Sequence, residues 1–524
     1  MISGSIDLQK TVQPLKFTLS HPQYLTYTTL ETDNLHVCFV MERDYSRHTS
    51  SPHEEWNGQK VSQYLYERTR KDVLAWPLQS MVITQDKNSG QVEIERNCHA
   101  TCPLYLLVSK NTLFIHWDPV ELYPHASTKD PLDYKECIAY MNMEWQYGDR
   151  TVFKDISLLP ERGRAFISGG SLNIRKPPNI EPFTPGTLKY GTDPIEKFLD
   201  LLKKAISRWQ INAESTYAEL SSGMDTTLVV HLLAEILQPK AVRTFGFLPL
   251  GDDRTLINER RSETVHRLSL MDYCSPIERH FDQAFSLNGD RKYWPYQTPT
   301  SFEKTEFASN VAITGGSLVF TGIGGDELCM LSEIEKHQRP RTAKPNQSVN
   351  VSSDVDLLFI PPELLRKYSM QESDAWPNGL VPESCADMAN SSAFLYLRKG
   401  IWTAHPLALA ELQTFAHFLP MEWRRNRGLS RSTLTRLGYS ENFVAQQPKE
   451  TLRVTMEQLM LRVDWDRQFD KAILFDYGLA NPAQLQEAVT YLRKTKSERL
   501  AGRLMTTLLL ELSLKSFHND NLPS

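Results

Sequence analysis

The sequence predicts an α/β protein in which a β-rich N-terminal part precedes a mostly parallel sheet covered by helices. Three observations lead to this fold class. Short alternating apolar runs recur in the first 180 residues, a proline-rich segment follows, and strands then alternate with amphipathic helices. Because 524 residues exceed one average core, we divide the chain into domains at residues 1–180 and 190–524.

In the N-terminal part, alternation of apolar and polar residues between turn residues predicts a series of strands. These predicted strands cover residues 35–41, 80–84, 91–95, 104–108, 112–116 and 164–168. The segment 175–187 that follows contains four prolines, which cannot sustain a helix or a central strand. We therefore interpret it as an interdomain linker.

After the linker, the apolar residues first take helical spacing, and a β-loop-α series then begins. The predicted helices cover residues 194–209, 226–237, 259–270 and 302–314, and the predicted strands cover 215–220, 242–248 and 317–321. From residue 390 onward we expect a helical tail, most clearly at 407–419, whereas the polar segment 337–354 indicates an insertion. In such sheets, ligands bind at the carboxyl ends of the strands.

Composition excludes several classes of function. The formal net charge of -5 leaves no electrostatic footprint for nucleic acid. No apolar run approaches the roughly 18 residues of a membrane span, and the N-terminus lacks a secretory pattern. Seven scattered cysteines favour reduced thiols over a disulfide framework. We therefore expect a cytoplasmic enzyme without a membrane or nucleic-acid partner, and its oligomeric state stays open.

A small-residue loop joins a predicted strand to a predicted helix at Leu220–Thr227. Small residues let the backbone approach a ligand, and the first N–H groups of a helix have no partner within the helix. The hydroxyls of Ser221, Thr226 and Thr227 add donors. A pyrophosphate site and an ordinary N-capped turn are both compatible with this pattern.

A second loop, Thr321–Leu328, again ends a predicted buried strand in glycines and places acids just beyond them. If the two strands are neighbours, Asp225 and Asp326 face each other across the strand ends. Two carboxylates there are suited to hold Mg²⁺ against a triphosphate, because Mg²⁺ prefers oxygen ligands and phosphates.

These loops resemble two motifs of the asparagine synthetase superfamily. Leu220–Thr227 resembles the pyrophosphatase loop Ser-Gly-Gly-Leu-Asp-Ser-Ser, and Thr321–Leu328 resembles the second aspartate motif. Ile94–Leu106 and Thr151–Pro160 resemble parts of the family's glutaminase-type domain, so the resemblance covers nearly the whole chain. It implies an Ntn-hydrolase-like αββα sandwich at 1–180. At 190–524 it implies an adenine-nucleotide α-hydrolase-like domain of the PP-loop ATP pyrophosphatase type.

The resemblance also implies ATP and Mg²⁺ as cofactors and assigns site residues. Gln446–Glu450 is similar to the family's essential-lysine segment, which gives Lys449 a catalytic role, with Arg427 as a second cation. Asp225 and Asp326 are the implied metal ligands. The implied nucleotide-binding residues are Leu220, Ser221, Ser222, Gly223, Asp225, Thr226, Thr227, Phe247, Gly322 and Gly324.

Two departures from the family pattern narrow the function. Glutamine-dependent members need an N-terminal cysteine after Met1, where this chain has Ile2, and Cys38 falls in a predicted strand. We therefore expect a degenerate glutaminase-like domain without glutaminase activity. Ile323 stands where β-lactam synthetases have a tyrosine that belongs to their catalytic base, and it cannot move a proton.

The resulting hypothesis is an ATP-dependent ligase that adenylates a substrate carboxylate, releases pyrophosphate and joins the acyl group to an amine. The resemblance makes lasso-peptide cyclases the closest functional analogues, which implies a macrolactam product from one peptide and a precursor-processing partner protein. A linear amide is chemically as compatible with the sequence. Asparagine synthesis from ammonia and a non-catalytic nucleotide-binding module are the alternatives.

Overall fold

The computed structural model describes residues 2–8, 15–47, 54–99, 101–180, 186, 188–238, 240–251, 253–283, 285, 292–297, 301–331, 335, 359–368, 375–445 and 453–521. The strands are β1 (Ile2–Asp7), β2 (Thr18–Leu19), β3 (Leu25–Glu31), β4 (Leu35–Glu42), β5 (Gln59–Lys60), β6 (Ser80–Asp86), β7 (Val92–Arg96), β8 (Tyr105–Ser109), β9 (Thr112–His116), β10 (Ser157–Leu158), β11 (Arg164–Ser168), β12 (Ser171–Arg175), β13 (Thr216–Glu219), β14 (Arg243–Leu248), β15 (Met271–Pro276), β16 (Leu318–Phe320) and β17 (Trp402–Ala404). The α-helices are Gln63–Leu74, Tyr134–Met141, Pro194–Ile206, Met224–Leu237, Arg254–Leu268, Ser301–Ile313, Pro362–Lys367, Glu383–Leu397, Ala410–Phe418, Met421–Arg424, Gly428–Arg436, Glu441–Ala445, Arg453–Arg462, Trp465–Gln468, Ile473–Asp476, Pro482–Thr495 and Glu498–Asn521.

The strands of the first 180 residues form largely antiparallel sheets, with the orders β10-β8-β9-β1-β2 and β12-β11-β7-β6-β4-β3-β5. Strands β9 and β11 coincide with the predicted 112–116 and 164–168. The alternation of buried and exposed residues along β7 and β11 explains why the period-two pattern identified them. The αββα architecture and the domain division at residues 180–190 stay predictions.

A parallel sheet with the order β15-β14-β13-β16-β17 follows. Adjacent strands in it pair in parallel, for example Ala218 of β13 with Phe320 of β16. The helix Met224–Leu237 connects β13 to β14, and the helix Ser301–Ile313 precedes β16. The carboxyl ends of β13, β14, β16 and β17 therefore meet at one edge of the sheet, where ligands bind in parallel sheets.

The expectation of a purely helical tail after residue 390 was wrong at β17. Trp402–Ala404 is a strand that pairs with β16, with Trp402 opposite Leu318. The helix expected at 407–419 is shorter, because Pro406 starts a 3-10 turn and Leu409 has an extended backbone before Ala410–Phe418. The edge strand β15 is a further strand that the sequence pattern did not reveal.

An aromatic cluster joins the N-terminal sheets to later parts of the chain. Trp294 contacts Tyr105 and Phe153, and Phe153 stacks on Phe517 of the last helix with ring centroids 4.9 Å apart. All four side chains are buried. The predicted insertion at 337–354 lies outside the described residues. In the part of the chain that the structure covers, no helix has the length and apolar character needed to cross a bilayer.

Candidate active site

The two loops singled out in the sequence leave neighbouring strands at the same edge of the parallel sheet. β13 leads into Leu220–Thr227, and β16 leads into Thr321–Leu328. The strands pair directly, with Thr216 opposite Leu318. Parallel pairing of two strands brings their following loops together, so the chemistry of both loops is concentrated in one place.

The first loop is shaped for an anion. The helix Met224–Leu237 begins two residues earlier than predicted, with Gly223 as N-cap and no side-chain cap. In an ordinary capped turn, the N-cap side chain accepts a hydrogen bond from one of the first N–H groups of the helix. Here no N-cap side chain does so. The Ser221 hydroxyl accepts from the Gly223 N–H at 3.0 Å and contacts the Thr226 hydroxyl at 3.0 Å, which holds the loop in a tight turn.

Two predicted nucleotide ligands of this loop are buried in the structure. Thr227 is fully buried, and its hydroxyl donates to the Gly223 carbonyl at 2.9 Å, so it braces the turn. Ser222 is also buried. Ser221 and Thr226 are less buried than these two residues, and the contact of each predicted residue with a nucleotide stays a prediction.

Glycines allow the second loop to approach the first. A Cβ on Gly325 would lie 2.1 Å from Cγ of Asp225, and one on Gly322 would lie 2.9 Å from the backbone nitrogen of Thr226. Gly324 has a φ of +99°, which disfavours any other residue. The close contact between the loops thus depends on the absence of side chains at these positions.

Arg427 connects the two acids. Its guanidinium donates to Asp225 and lies 3.2 Å from a carboxylate oxygen of Asp326. Burial raises the pKa of Asp225, and the neighbouring guanidinium opposes that shift. The two carboxylates therefore already share one cation, which a divalent ion would have to displace. Among the described residues, no group of three or more His, Cys, Asp and Glu side chains forms a metal site by itself. Two carboxylates completed by substrate phosphates are a donor set that Mg²⁺ takes, so these residues suit Mg²⁺ in the presence of a polyphosphate.

The backbone that carries Arg427 is unusual. Asn426 and Arg427 both adopt left-handed conformations, with φ of 51° and 60°, just before the helix Gly428–Arg436. The guanidinium of Arg431 donates to the Asn426 carbonyl at 2.7 Å and so holds this bend. Consecutive residues in this region cost free energy, which indicates that the position of Arg427 is imposed by its surroundings.

A cavity of about 190 Å³ adjoins the first loop. Leu220, Ser221 and Thr226 form one side of it, and Phe245 and Phe247 of β14 form another. Gly246 between these phenylalanines allows β14 to pack closely, because a Cβ there would lie 2.1 Å from the Leu220 carbonyl oxygen. The aromatic walls and the adjacent anion site suit a flat ring system linked to phosphates.

Sequence reasoning missed a polar cluster at the base of this cavity. Lys304 lies 3.1 Å from Glu219, which also accepts a hydrogen bond from the Tyr396 hydroxyl. Next to it, Thr321 and His405 are in contact at 2.7 Å, and burial lowers the pKa of His405 to about 4. The sequence did contain one signal of this cluster, because Glu219 places an acid at the carboxyl end of β13.

The remaining predicted residues are placed as follows. Lys449 lies outside the described residues, so its catalytic role stays a prediction. Ile323 is partly exposed in the second loop, with its N–H donating to the Thr321 hydroxyl at 3.3 Å. Cys38 is fully buried in β4, and burial raises the pKa of its thiol, so it is not an activated nucleophile.

No protein-family model and no curated protein matches this chain. Solved structures that it is similar to include the following two, each at low sequence identity. The first is an NH3-dependent NAD synthetase from Campylobacter jejuni in complex with the nitrate ion (14% identity, 58% of this chain and 94% of that chain covered, TM-score 0.23). The second is the U34-tRNA thiolase NcsA from Methanococcus maripaludis with its [4Fe-4S] cluster (11% identity, 52% and 80% covered, TM-score 0.22). At these TM-scores the likeness carries no argument about activity.

Proposed function

We propose that this protein is an ATP-dependent ligase that activates a carboxylate by adenylation and transfers the acyl group to an amine. The observation that carries the proposal is the pair Asp225 and Asp326, held together by Arg427 beside an uncapped helix N-terminus. Acids next to such an N-terminus are suited to a metal-bound polyphosphate, because the helix N–H groups bind phosphate oxygens and a metal ion would connect the acids to the same phosphates.

The reaction has two steps. A carboxylate oxygen of the substrate attacks the α-phosphorus of ATP, the bond to the β-phosphate breaks, and pyrophosphate leaves. The amine nitrogen then attacks the acyl carbon, the bond to AMP breaks, and a proton is lost from nitrogen. Adenylation is required because a free carboxylate is a poor electrophile.

The residues of the chain divide this work. The backbone N–H groups after Gly223 and the hydroxyls of Ser221 and Thr226 bind the phosphates, and the cavity between Leu220 and Phe247 holds the base. Asp225 and Asp326 would hold Mg²⁺, which would supply neutralisation of phosphate charge. Lys449, placed near the α-phosphate by the family resemblance, stabilises the negative charge that grows as the acyl-adenylate forms and collapses, and Arg427 assists as a second cation.

The finer proposal concerns the substrate. We infer that acid and amine belong to one peptide, so that the product is a macrolactam. The resemblance to lasso-peptide cyclases supports this inference, as does the buried Cys38, which leaves that thiol unsuited to release ammonia from glutamine. The loss of one water from an intact peptide, measured by mass spectrometry, would be the product signature.

Exchange of labelled pyrophosphate into ATP tests the ligase proposal, because it reports adenylation without the amine. We expect exchange that depends on an added carboxylate, screened over free amino acids and peptides. Asp225→Asn and Asp326→Asn should each lower the exchange about a hundredfold or more, since each removes charge stabilisation at the polyphosphate. Asp33→Asn, a highly exposed acid in the turn between β3 and β4, is the matched control and should exchange normally.

Two outcomes would contradict the proposal. Undiminished exchange in either aspartate variant would remove that acid from the site. Tight ATP binding without exchange for any carboxylate would instead indicate a nucleotide-binding module without ligase activity.

A further inference from the structure

Glu303 is a buried acid that the phosphate chemistry does not use. It lies in the first turn of the helix Ser301–Ile313, is 1% exposed, and is among the residues that line the 190 Å³ cavity. Its Oε1 atom has no hydrogen-bond partner among the residues that the structure describes. A buried polar atom without a partner is costly, so such a group calls for a ligand that supplies one.

The second acid at the cavity shows the contrast. Glu219 is paired with Lys304 and accepts from Tyr396, although Lys304 is the chain neighbour of Glu303. The ammonium group is thus directed to Glu219. Glu219, Lys304 and Tyr396 are the titratable groups that share the cavity with Glu303 in the described part of the chain.

Burial raises the pKa of Glu303 to about 9, against a smaller lowering by Lys304. At neutral pH the carboxyl group is therefore protonated. A neutral carboxylic acid presents one O–H donor next to one carbonyl acceptor. That pair matches the edge of adenine, where the 6-amino group donates and ring nitrogen N1 accepts.

We propose that Glu303 reads the nucleobase of the bound nucleotide, with its carbonyl accepting from the 6-amino group and its O–H donating to N1. This inference rests on the proposed function, because it takes the phosphates to lie on the first loop. The cavity is smaller than the roughly 300–1,000 Å³ of drug-sized pockets, which suits one ring system between the aromatic walls.

The test is a double-mutant cycle between protein and ligand, read by equilibrium binding to the full chain. ATP is compared with purine riboside triphosphate, which lacks the 6-amino group, for the native protein and for Glu303→Met. The native protein should bind ATP about tenfold or more tightly than the analogue, because the analogue leaves the Glu303 carbonyl unpaired. Glu303→Met should bind both equally, whereas Glu306→Met on the same helix should discriminate as the native protein does.

A pH series provides a second, independent reading. ATP affinity of the native protein should fall as pH rises through about 9, because the ionised carboxylate repels the lone pair of N1. Glu303→Gln keeps a donor and an acceptor that do not titrate, so its affinity should stay near the native value and respond much less to pH. This isosteric variant decides the question if Glu303→Met does not fold.

Inorganic tripolyphosphate distinguishes the ligase proposal from the role of Glu303, since it has no base and binds at the first loop alone. Tripolyphosphate affinity should be the same in native protein and Glu303→Met. If Glu303→Met discriminates the analogue as the native protein does, or if tripolyphosphate binds as tightly as ATP, the role of Glu303 is overturned and the ligase proposal stands. If the native protein binds neither ATP nor tripolyphosphate, the proposed function is wrong, and the role of Glu303 in base recognition is then wrong as well.

Discussion

Arg427 shows how one residue sets the charge of the site. Its guanidinium carries donors in a planar fork, which lets a single side chain bridge Asp225 and Asp326. Both carboxylates contact the same guanidinium, so they lie close to each other. Without the positive charge of Arg427, their negative charges would repel each other. The sequence predicted Arg427 as a cation of the site, but the partners became visible only in the structure, because residues 225, 326 and 427 are brought together by tertiary contacts.

Replacing Arg427 should therefore change metal binding in a defined direction. In the nucleotide-free protein, the guanidinium competes with a divalent ion for the same carboxylates. Arg427→Gln should bind Mn²⁺ about tenfold or more tightly than the native protein without nucleotide, since one to two charge-assisted hydrogen bonds no longer oppose the ion. Electron paramagnetic resonance of Mn²⁺ measures this, and the exposed Arg425→Gln is the control. An unchanged Mn²⁺ affinity would mean that the acids do not form the metal site.

At the scale of elements, sequence patterns predicted the strands that carry the motifs and missed those that depend on partners. β13, β14 and β16 are short segments rich in aromatic, β-branched and other apolar residues, and turn residues follow near their ends, so local pattern identified them. β17 has three residues, too few to show alternation, and its pairing with β16 bridges more than 80 positions of the chain. Glu303 and Lys304 were missed for the same reason, because tertiary packing brings the helix Ser301–Ile313 to the cavity beside Glu219 of β13.

The contact between the two loops depends on Gly325, which predicts the effect of adding one methyl group. In Gly325→Ala the new Cβ would lie 2.1 Å from Cγ of Asp225, so Asp225 or the second loop must move. Overpacking of this kind costs about 1–3 kcal/mol of unfolding free energy. We expect a lower thermal midpoint and at least tenfold weaker ATP binding, measured by differential scanning fluorimetry and calorimetry. Gly186→Ala, whose Cβ would have its nearest neighbour at 3.5 Å, should change neither, and equal effects in both variants would refute the packing argument.

At the scale of the whole molecule, buried polar contacts connect the N-terminal sheets to the candidate site. Glu42 at the end of β4 accepts hydrogen bonds from the indoles of Trp209 and Trp402, both at 2.7 Å. Nearby, Arg208 pairs with Asp44 at 2.7 Å and with Glu411 at 3.1 Å. Since Trp402 is the first residue of β17, which pairs with β16, the N-terminal part contacts the strand beside the second loop. Such long-range contacts of buried charges have no periodic signature in sequence.

The ionisation of Glu42 should make the stability of the molecule depend on pH. Burial raises the pKa of Glu42 to about 7 from its ordinary value of 4.5. Between these two values the folded state holds a proton that the unfolded chain has lost, so the unfolding free energy falls as pH rises through this window. Glu42→Gln is neutral at every pH and should lack this loss.

We expect the stability of Glu42→Gln relative to the native protein to rise between pH 4.5 and 8, by an amount on the order of 3 kcal/mol for a shift of this size. Chemical unfolding of both proteins at several pH values measures the difference. Other buried acids with raised pKa values, such as Glu161 and Asp387, are present in both proteins and cancel in the comparison. Glu144→Gln, at an exposed acid, should follow the native curve. If the stability of Glu42→Gln instead follows the native protein at every pH, Glu42 is ionised throughout this range. The hydrogen bonds from the two indoles and from the Gln79 N–H are then sufficient to hold a buried carboxylate between the two parts of the molecule.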